Sequence, residues 1–188
     1  MKILVIDNFD SFTYNLVQLI GATDRKVIVV RNDESDLNKI SELNPDKILV
    51  SPGPGRPENS GLSIEVIKEF GYSKPILGVC LGHQAIGHLY GAEITNAPLL
   101  MHGKTSKIIH DGKTIFKKIP PKFEAMRYHS LIVSNKTLPA DLSISAYTEN
   151  GDIMGLRHNT YPMEGIQFHP ESILTIEGKK IIANWLSL

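Results

Sequence analysis

The sequence contains a single cysteine, no excess of charge of either sign and no long hydrophobic run. The lone Cys80 excludes a disulfide within the chain and is typical of a protein kept in a reducing cytoplasm. Lysine and arginine together number 20, as do aspartate and glutamate, so no strong field favours nucleic acid or an anionic membrane. The apolar runs fall short of the about 20 residues that span a bilayer, and the N-terminal run is too short for a signal peptide. These absences predict a soluble, cytoplasmic protein without a nucleic-acid or membrane partner.

The apolar content is sufficient for one sizeable core. A chain of 188 residues that is 41% hydrophobic is expected to form a single domain over residues 1–188. Its first half alternates strand-like and helix-like segments, with strands predicted at residues 3–6, 27–30 and 48–50 and in the run that leads to Cys80. Strands that alternate with helices pair in parallel through right-handed crossovers. The first half therefore predicts a doubly wound, mainly parallel α/β sheet.

The second half has a different pattern. Short strands are predicted at residues 106–110, 132–134, 142–147, 153–158 and 163–168, and turn signals such as Asn150-Gly151 separate them. Imperfect alternation of polar and apolar residues in these segments favours antiparallel pairing at one edge of the sheet. Helical periodicity returns over residues 178–188.

The only cysteine stands between two glycines, Gly78 and Gly82, where a strand-like run passes into a helix-like run. This is the nucleophile-elbow pattern, with cysteine in place of serine. Such a turn crowds the backbone, which favours glycine, and the helix N-terminus stabilises negative charge on the sulfur. The N–H of Leu81 is placed to donate to an oxyanion. We interpret Cys80 as a nucleophile; a buried structural cysteine is the alternative.

A thiolate nucleophile needs a base, and seven histidines are present. His169 differs from the others because it ends an apolar strand and is followed by Pro170 and Glu171. Proline restricts the backbone, so Glu171 can orient the imidazole, and the three groups form a Cys80–His169–Glu171 triad. A surface His–Glu pair and a zinc site built from the triad residues are the alternatives. The sequence lacks the paired Cys/His spacing of zinc sites, so we predict no metal.

The Pro-Gly-Pro-Gly segment at residues 52–55 follows the third predicted strand. Ligands of doubly wound sheets bind beyond the carboxyl ends of the strands, and glycine allows backbone N–H groups to approach a ligand closely. Gly53 or Gly55 is therefore a candidate for the second oxyanion donor beside Leu81. An ordinary tight turn is the alternative.

Two stretches of sequence resemble the catalytic motifs of the class I (triad) glutamine amidotransferases: GVCLGHQ at residues 78–84 and GIQFHPES at residues 165–172. The resemblance covers essentially the whole chain. Within the family, the closer resemblance is to the glutaminase subunits of anthranilate synthase (component II) and aminodeoxychorismate synthase, and GMP synthase glutaminases are less similar. The segments that carry this closer resemblance are DNFDSFTYN at 7–15, SPGPGRP at 51–57, MHGK at 101–104 and RYHSL at 127–131.

The resemblance implies a mechanism and a set of site residues. Cys80 would attack the side-chain amide of glutamine and form a thioester, with His169 and Glu171 completing the triad. The positions that correspond to glutamine-holding and oxyanion residues of the family are Gly53, Gly55, Leu81, Gln84, Ser130 and Leu131. The resemblance implies no cofactor in this chain and magnesium in the partner.

That partner would be a chorismate-aminating synthase subunit (component I), which receives the ammonia. The expected product is anthranilate, with aminodeoxychorismate as the alternative. The candidates for the docking surface are residues 101–107 and 10–14. For residues 101–107, an exposed hairpin without a docking role is the alternative. A stand-alone γ-glutamyl cysteine hydrolase would need the same triad, whereas a non-catalytic subunit would be expected to lack one of its members.

Overall fold

The computed structural model describes residues 1–22 and 25–188, apart from the side chains at positions 100 and 102. None of the helices in these ranges is long and apolar enough to cross a bilayer. In chain order the elements are β1 (Lys2–Asp7), α1 (Thr13–Gly21), β2 (Lys26–Arg31), α2 (Leu37–Leu43), β3 (Lys47–Val50), α3 (Leu62–Phe70), β4 (Ile76–Val79), α4 (Leu81–Leu89), β5 (Ile94–His110), β6 (Lys122–Val133), β7 (Leu142–Thr148), β8 (Ile153–His158), β9 (Met163–Ile166) and α5 (Gly178–Ser187).

The strands of the described chain form one sheet of nine, in the order β2-β1-β3-β4-β9-β8-β7-β5-β6. Strands β2, β1, β3, β4 and β9 pair in parallel, and the remaining neighbours pair antiparallel. This arrangement confirms the predicted doubly wound sheet with an antiparallel edge. Two antiparallel strands, β5 and β6, are longer than predicted. Strand β9, which was predicted among the antiparallel strands, pairs in parallel with β4 on one side and antiparallel with β8 on the other.

Alternate residues of β1 enter two different cores, which shows that the sheet is covered on both faces. Ile3 and Val5 belong to the cluster that contains Trp185 of α5. Leu4 and Ile6 belong to the opposite cluster, which includes residues of α2 and α3. Because both faces are buried, the strand reads as a continuous apolar run.

Two strands of the antiparallel block are much longer than the sequence predicted. Strand β5 begins at Ile94 and β6 at Lys122, whereas strands were expected only at residues 106–110 and 132–134. Strand β5 is interrupted by a bulge between Asn96 and Met101. A bulge breaks the two-residue alternation on which strand prediction depends, so the signal of β5 was obscured.

Candidate active site

Cys80 occupies a strained turn between β4 and α4. Its backbone has φ 51° and ψ −98°, a conformation that side chains with a Cβ rarely adopt. Two hydrogen bonds hold it there: its N–H donates to the carbonyl of Ile166 at 2.8 Å, and its carbonyl accepts from the N–H of Gln84 at 3.0 Å. Strain of this kind, of order 1–3 kcal/mol, persists where the surrounding structure determines the conformation, and it clusters at active sites.

The glycines on either side of Cys80 are required by close backbone approach. A Cβ at Gly78 would lie 2.4 Å from the carbonyl carbon and oxygen of Gly82. A Cβ at Gly82 would lie 2.4 Å from the carbonyl oxygen of Val50 on the neighbouring strand. Both distances are too short for real Cβ contacts, so the turn can close only with glycine at these two positions.

The imidazole of His169 is paired with a buried carboxylate. Its Nδ1 lies 2.6 Å from Oε1 of Glu171, and the two side chains are 5% and 1% exposed. Burial alone would lower the pKa of His169, but its interactions with Cys80 and Glu171 outweigh burial and raise the pKa to about 10. With this pKa the ring is an imidazolium at neutral pH. Because Glu171 engages Nδ1, Nε2 is the nitrogen that remains for the sulfur.

The backbone of His169 is fixed by Met126 of β6 and by Thr175. Its N–H donates to the carbonyl of Met126 at 3.0 Å, and its carbonyl accepts from the Thr175 hydroxyl at 2.7 Å. That hydroxyl also accepts from the N–H of Met126 at 3.0 Å. The ring of Phe12 lies edge-on to the imidazole, with centroids 6.0 Å apart. His169 is thus held in place although it lies beyond the end of β9.

Cys80 and His169 open into one cavity of about 370 Å³ beyond the carboxyl ends of the parallel strands. Most of the predicted substrate-binding residues line it as well. The lining consists of Phe9, Asp10, Ser11, Pro52, Gly53, Pro54, Gly55, Cys80, Gln84, Tyr128, His129, Ser130, Leu131 and His169. The structure therefore brings together residues from distant parts of the chain.

Two of the predicted site residues, Leu81 and Glu171, do not line this cavity. Glu171 lies behind His169 and faces an adjoining cavity of about 310 Å³. The side chain of Leu81 packs against Gly53, where a Cβ would come within 2.8 Å of its Cδ2. The oxyanion role predicted for Leu81 belongs to its backbone N–H at the start of α4. The direction of the side chain does not affect that N–H.

The loop that carries Gly53 and Gly55 is tied to the end of β1. The N–H of Asn8 donates to the Ser51 hydroxyl at 2.9 Å, and its side-chain amide donates to the Ser51 carbonyl at 3.0 Å. A Cβ at Gly53 would lie 2.5 Å from the Cβ of Asn8, so the loop can pack this closely only with glycine. Gly55 has φ 81°, which also favours glycine. The loop is thereby held against the site.

Gln167 is a site residue that sequence reasoning missed. Its side chain is fully buried; Nε2 lies 3.4 Å from the sulfur of Cys80, and Oε1 accepts from the amide of Gln84 at 3.0 Å. A polar residue inside the apolar run from Ile166 to Phe168 was the available signal. The sequence predicts Gln167 only as part of the strand at residues 163–168, but β9 ends at Ile166.

In the described ranges, no group of three or more His, Cys, Asp or Glu side chains is arranged to hold a metal ion. The chemical resources of the cavity are a cysteine sulfur, an imidazolium paired with a carboxylate, and amide groups. This combination supports acyl transfer from an amide or ester, because it supplies a nucleophile, a proton donor and potential oxyanion donors.

Comparison with known families agrees with this chemistry. The model of the family described as glutamine amidotransferase class-I matches residues 4–187. A solved structure of a glutamine amidotransferase from Thermotoga maritima superposes with a TM-score of 0.77 at 14% identity, covering 100% of this chain and 96% of that one. At this identity the likeness concerns the fold.

Curated relatives are much more similar in sequence. Anthranilate synthase component 2 of Pyropia yezoensis is 54% identical over 185 residues, covering 98% of both chains. Aminodeoxychorismate/anthranilate synthase component 2 of Bacillus subtilis is 52% identical over 184 residues, covering 98% of this chain and 95% of that one. The bifunctional protein TrpGD of Thermotoga maritima is 51% identical over 189 residues; the match covers 100% of this chain but only 32% of that protein.

Proposed function

Because the chain belongs to the class I glutamine amidotransferase family, we propose that it is the glutaminase subunit of an anthranilate synthase. One observation carries the proposal: Cys80 on its strained turn and His169, which is paired with the buried Glu171 behind it, line a single cavity. Relatives about half identical to this chain are named as component 2 of anthranilate synthase, and these names support a synthase subunit as partner and anthranilate as product.

The first half of the reaction forms an acyl-enzyme. The Cys80 sulfur attacks the side-chain carbonyl carbon of glutamine, and a tetrahedral intermediate forms. The N–H groups of Leu81 and Gly53 donate to its oxyanion. When the carbon–nitrogen bond breaks, His169 transfers its Nε2 proton to the nitrogen, and ammonia leaves behind a γ-glutamyl thioester.

The second half returns the enzyme to its starting state. His169, now neutral, accepts a proton from water as the water oxygen attacks the thioester carbonyl. The carbon–sulfur bond breaks, glutamate leaves, and the thiolate and imidazolium are regenerated. Glu171 keeps the imidazole oriented and stabilises its charged form in both halves.

Ammonia passes to a chorismate-aminating synthase subunit that docks over the cavity mouth. The segment of residues 10–14, which leads into α1, is suited to this contact because Asp10 and Ser11 line the cavity, while Phe12 and Tyr14 are 39% and 62% exposed. In the second candidate segment, residues 101–107, the Met101 side chain is buried and the side chain at position 102 lies outside the described part. Exposed Lys104 and Lys107 remain candidates.

A second product is supported by one specific observation. The Bacillus subtilis relative, 52% identical to this chain, is named for both aminodeoxychorismate and anthranilate. A glutaminase subunit that supplies ammonia to two synthases would need only one glutamine site. We therefore include both products in the test of the proposal.

The experiment combines this chain with a chorismate-aminating subunit and identifies the product by chromatography and mass spectrometry. Glutamine should support anthranilate formation with the wild-type chain. With Cys80→Ser, glutamine should fail while added ammonium salt still supports synthesis, because the partner's chemistry does not use Cys80.

Two results would contradict the proposal. Glutamate release by Cys80→Ser at the wild-type rate would remove the nucleophile assignment. Full glutaminase activity of the isolated chain toward extended γ-glutamyl substrates, with no response to the partner, would indicate a stand-alone hydrolase instead.

A further inference from the structure

A buried arginine is connected to the wall of the cavity by a chain of hydrogen bonds. Arg127 on β6 is 4% exposed, and its guanidinium contacts three side chains. Its Nε donates to Nε2 of His129 at 3.0 Å, and its other nitrogens donate to Ser106 at 3.1 Å and Asp152 at 2.9 Å. The guanidinium does not line the cavity, so any role in the reaction must act through His129.

The contact with Arg127 determines the tautomer of His129. A guanidinium can only donate, so Nε2 of His129 must be an unprotonated acceptor, and the neutral ring then carries its proton on Nδ1. Nδ1 lies 2.9 Å from the carbonyl oxygen of Leu131, to which it can donate only in this tautomer. The two contacts favour the same tautomer, and without Arg127 only the Leu131 carbonyl would keep the proton on Nδ1.

The carbonyl of Leu131 is held from two sides. It accepts from His129 and also from the side-chain amide of Gln84 at 3.0 Å. A carbonyl has two lone pairs, so these two donors occupy its capacity. The Leu131 carbonyl oxygen therefore has no capacity left to accept from glutamine. Glutamine must bind to other backbone groups of Ser130 and Leu131.

Strand pairing makes this support necessary. The register places Asn96 opposite Leu131 and Met101 opposite His129, so Ser130 stands opposite the bulge in β5. Strand β6 is also at the edge of the sheet. This segment lines the cavity at a point where the regular ladder is interrupted, and side-chain hydrogen bonds take over the positioning.

We propose that Arg127 is a positioning residue for glutamine: through His129 it holds the Leu131 carbonyl and so sets the backbone of Ser130 and Leu131 that faces the substrate. This inference rests on the proposed glutaminase function. Arg127 and His129 would affect the binding of glutamine. They would take no part in the transfer of ammonia to chorismate.

Electrostatics supply a readout that a merely structural role would not produce. Burial, followed by Arg127, lowers the pKa of His129 to about 3, and His169 and His83 act in the same direction. The Leu131 carbonyl opposes them. Removing the arginine charge should raise the pKa of His129, while burial, the largest cause, still holds it below its ordinary value of about 6.5.

The test measures glutaminase kinetics of Arg127→Gln and Arg127→Lys in complex with the chorismate-aminating subunit. We expect KM for glutamine to rise at least about fivefold, the effect of losing one hydrogen bond, with a smaller change in kcat. In Arg127→Gln, the His129 ring should titrate at a higher pH than in the wild type, a shift that its NMR resonances follow and that loss of packing alone would not produce. Ammonia-dependent synthesis should be unchanged.

Arg157→Gln is the matched control. Arg157 is also largely buried and bonded to carboxylates, those of Asp111 and Glu164, but it lies outside the cavity lining. It should lose stability without changing KM. Equal changes of KM in the two variants, or a fall of kcat alone in Arg127→Gln, would overturn the proposal.

A second pair of variants covers the case in which Arg127→Gln does not fold. His129→Asn retains an amide donor near the Nδ1 position, whereas His129→Leu does not, so KM should rise more in the leucine variant. Equal KM values would contradict the proposed role of the Leu131 contact.

The tautomer is measured independently of function, from the ¹⁵N shifts of the wild-type histidine rings, with His129 assigned by comparison with His129→Asn. A proton on Nε2 would overturn the inference even if the chain is a glutaminase. Wild-type protein without glutaminase activity, but with the proton on Nδ1, would instead contradict the proposed function alone.

Discussion

Oε1 of Glu171 lies 2.6 Å from Nδ1 of His169, and neither side chain has appreciable contact with solvent. Burial disfavours the charged imidazole, but the pKa of His169 is nevertheless raised to about 10 by Cys80 and Glu171. The charge on His169 therefore depends on its two neighbours. Removing either one should change both the reaction and the pH dependence of stability.

Replacing Glu171 by glutamine should lower the pKa of His169, because a neutral amide no longer stabilises the imidazolium. We expect kcat for glutamine to fall about 10- to 1,000-fold, less than for Cys80→Ser, since the nucleophile and oxyanion donors remain. The alkaline limb of the kcat/KM profile should move to lower pH. Steady-state kinetics between pH 6 and 10 measure both effects.

The same variant makes a prediction for stability. A raised folded-state pKa stabilises the protein below the unfolded value of about 6.5, and this contribution is lost as the pH rises toward about 10. Glu171→Gln should flatten this decline. Glu164→Gln is a control, because it removes a buried carboxylate that pairs with Arg157 away from the cavity. A kinetic loss in Glu164→Gln as large as that in Glu171→Gln would refute the prediction.

Alanine at Gly82 should prevent the elbow from closing. Its Cβ would lie 2.4 Å from the Val50 carbonyl oxygen, so the backbone of α4 or β3 must shift. We expect the free energy of unfolding to fall by about 3 kcal/mol or more, measured by urea denaturation. Gly21→Ala is the matched control: at the end of α1 a Cβ would meet none of the described residues within 4 Å, and stability should stay equal or rise slightly. Similar losses in both would show that close approach is not the cause.

Much of the site was predictable because its residues occur in short, chemically specific groups. The glycines around Cys80 and the proline between His169 and Glu171 carry local constraints that a sequence reveals. Gln167 was not recognised because its importance depends on a contact with a sulfur 87 positions away in the chain. Nothing adjacent to it in sequence indicates that neighbour.

The fold was predictable to a similar degree and for a similar reason. The strands β1, β3 and β4 appear as apolar runs because they are buried on both faces. Strand β2 lies at the edge of the sheet and is half-buried, but its β-branched residues still indicate a strand. The beginnings of β5 and β6 were missed because their pairing is antiparallel, bulged and between distant segments, so local alternation is lost. The network around Arg127, which spans this pairing, was therefore also outside the reach of the sequence.

Gln167→Met should slow the reactions of the Cys80 sulfur while leaving the fold intact. Methionine fills the buried space but removes the amide whose nitrogen lies 3.4 Å from the sulfur. Losing one such contact, worth about 1 kcal/mol, should reduce the rate of alkylation by iodoacetamide about fivefold. Mass spectrometry can follow this rate, because Cys80 is the only cysteine. Gln18→Met, at an exposed position of α1, is the control; an unchanged rate in Gln167→Met would rule out a role for this amide.

His83 should account for part of the acid sensitivity of the fold. It is fully buried on α4 against Gly165, and burial lowers its pKa to about 4, with a small opposing effect from the Gly165 backbone. The unfolded chain binds a proton near pH 6.5, so stability is retained above that pH and is lost as the pH falls toward 4. This contribution amounts to about 3 kcal/mol.

His83→Leu removes this group while keeping a buried apolar side chain beneath the elbow. Urea unfolding at pH 7, 6, 5 and 4 should show a shallower loss of stability than in the wild type, whatever the absolute stability at pH 7. Some acid sensitivity should remain, because burial and the charge of Arg127 lower the pKa of His129 to about 3. His88→Leu, on the exposed side of the same helix, should keep the wild-type slope. A wild-type slope in His83→Leu would mean that protonation of this ring does not drive acid unfolding.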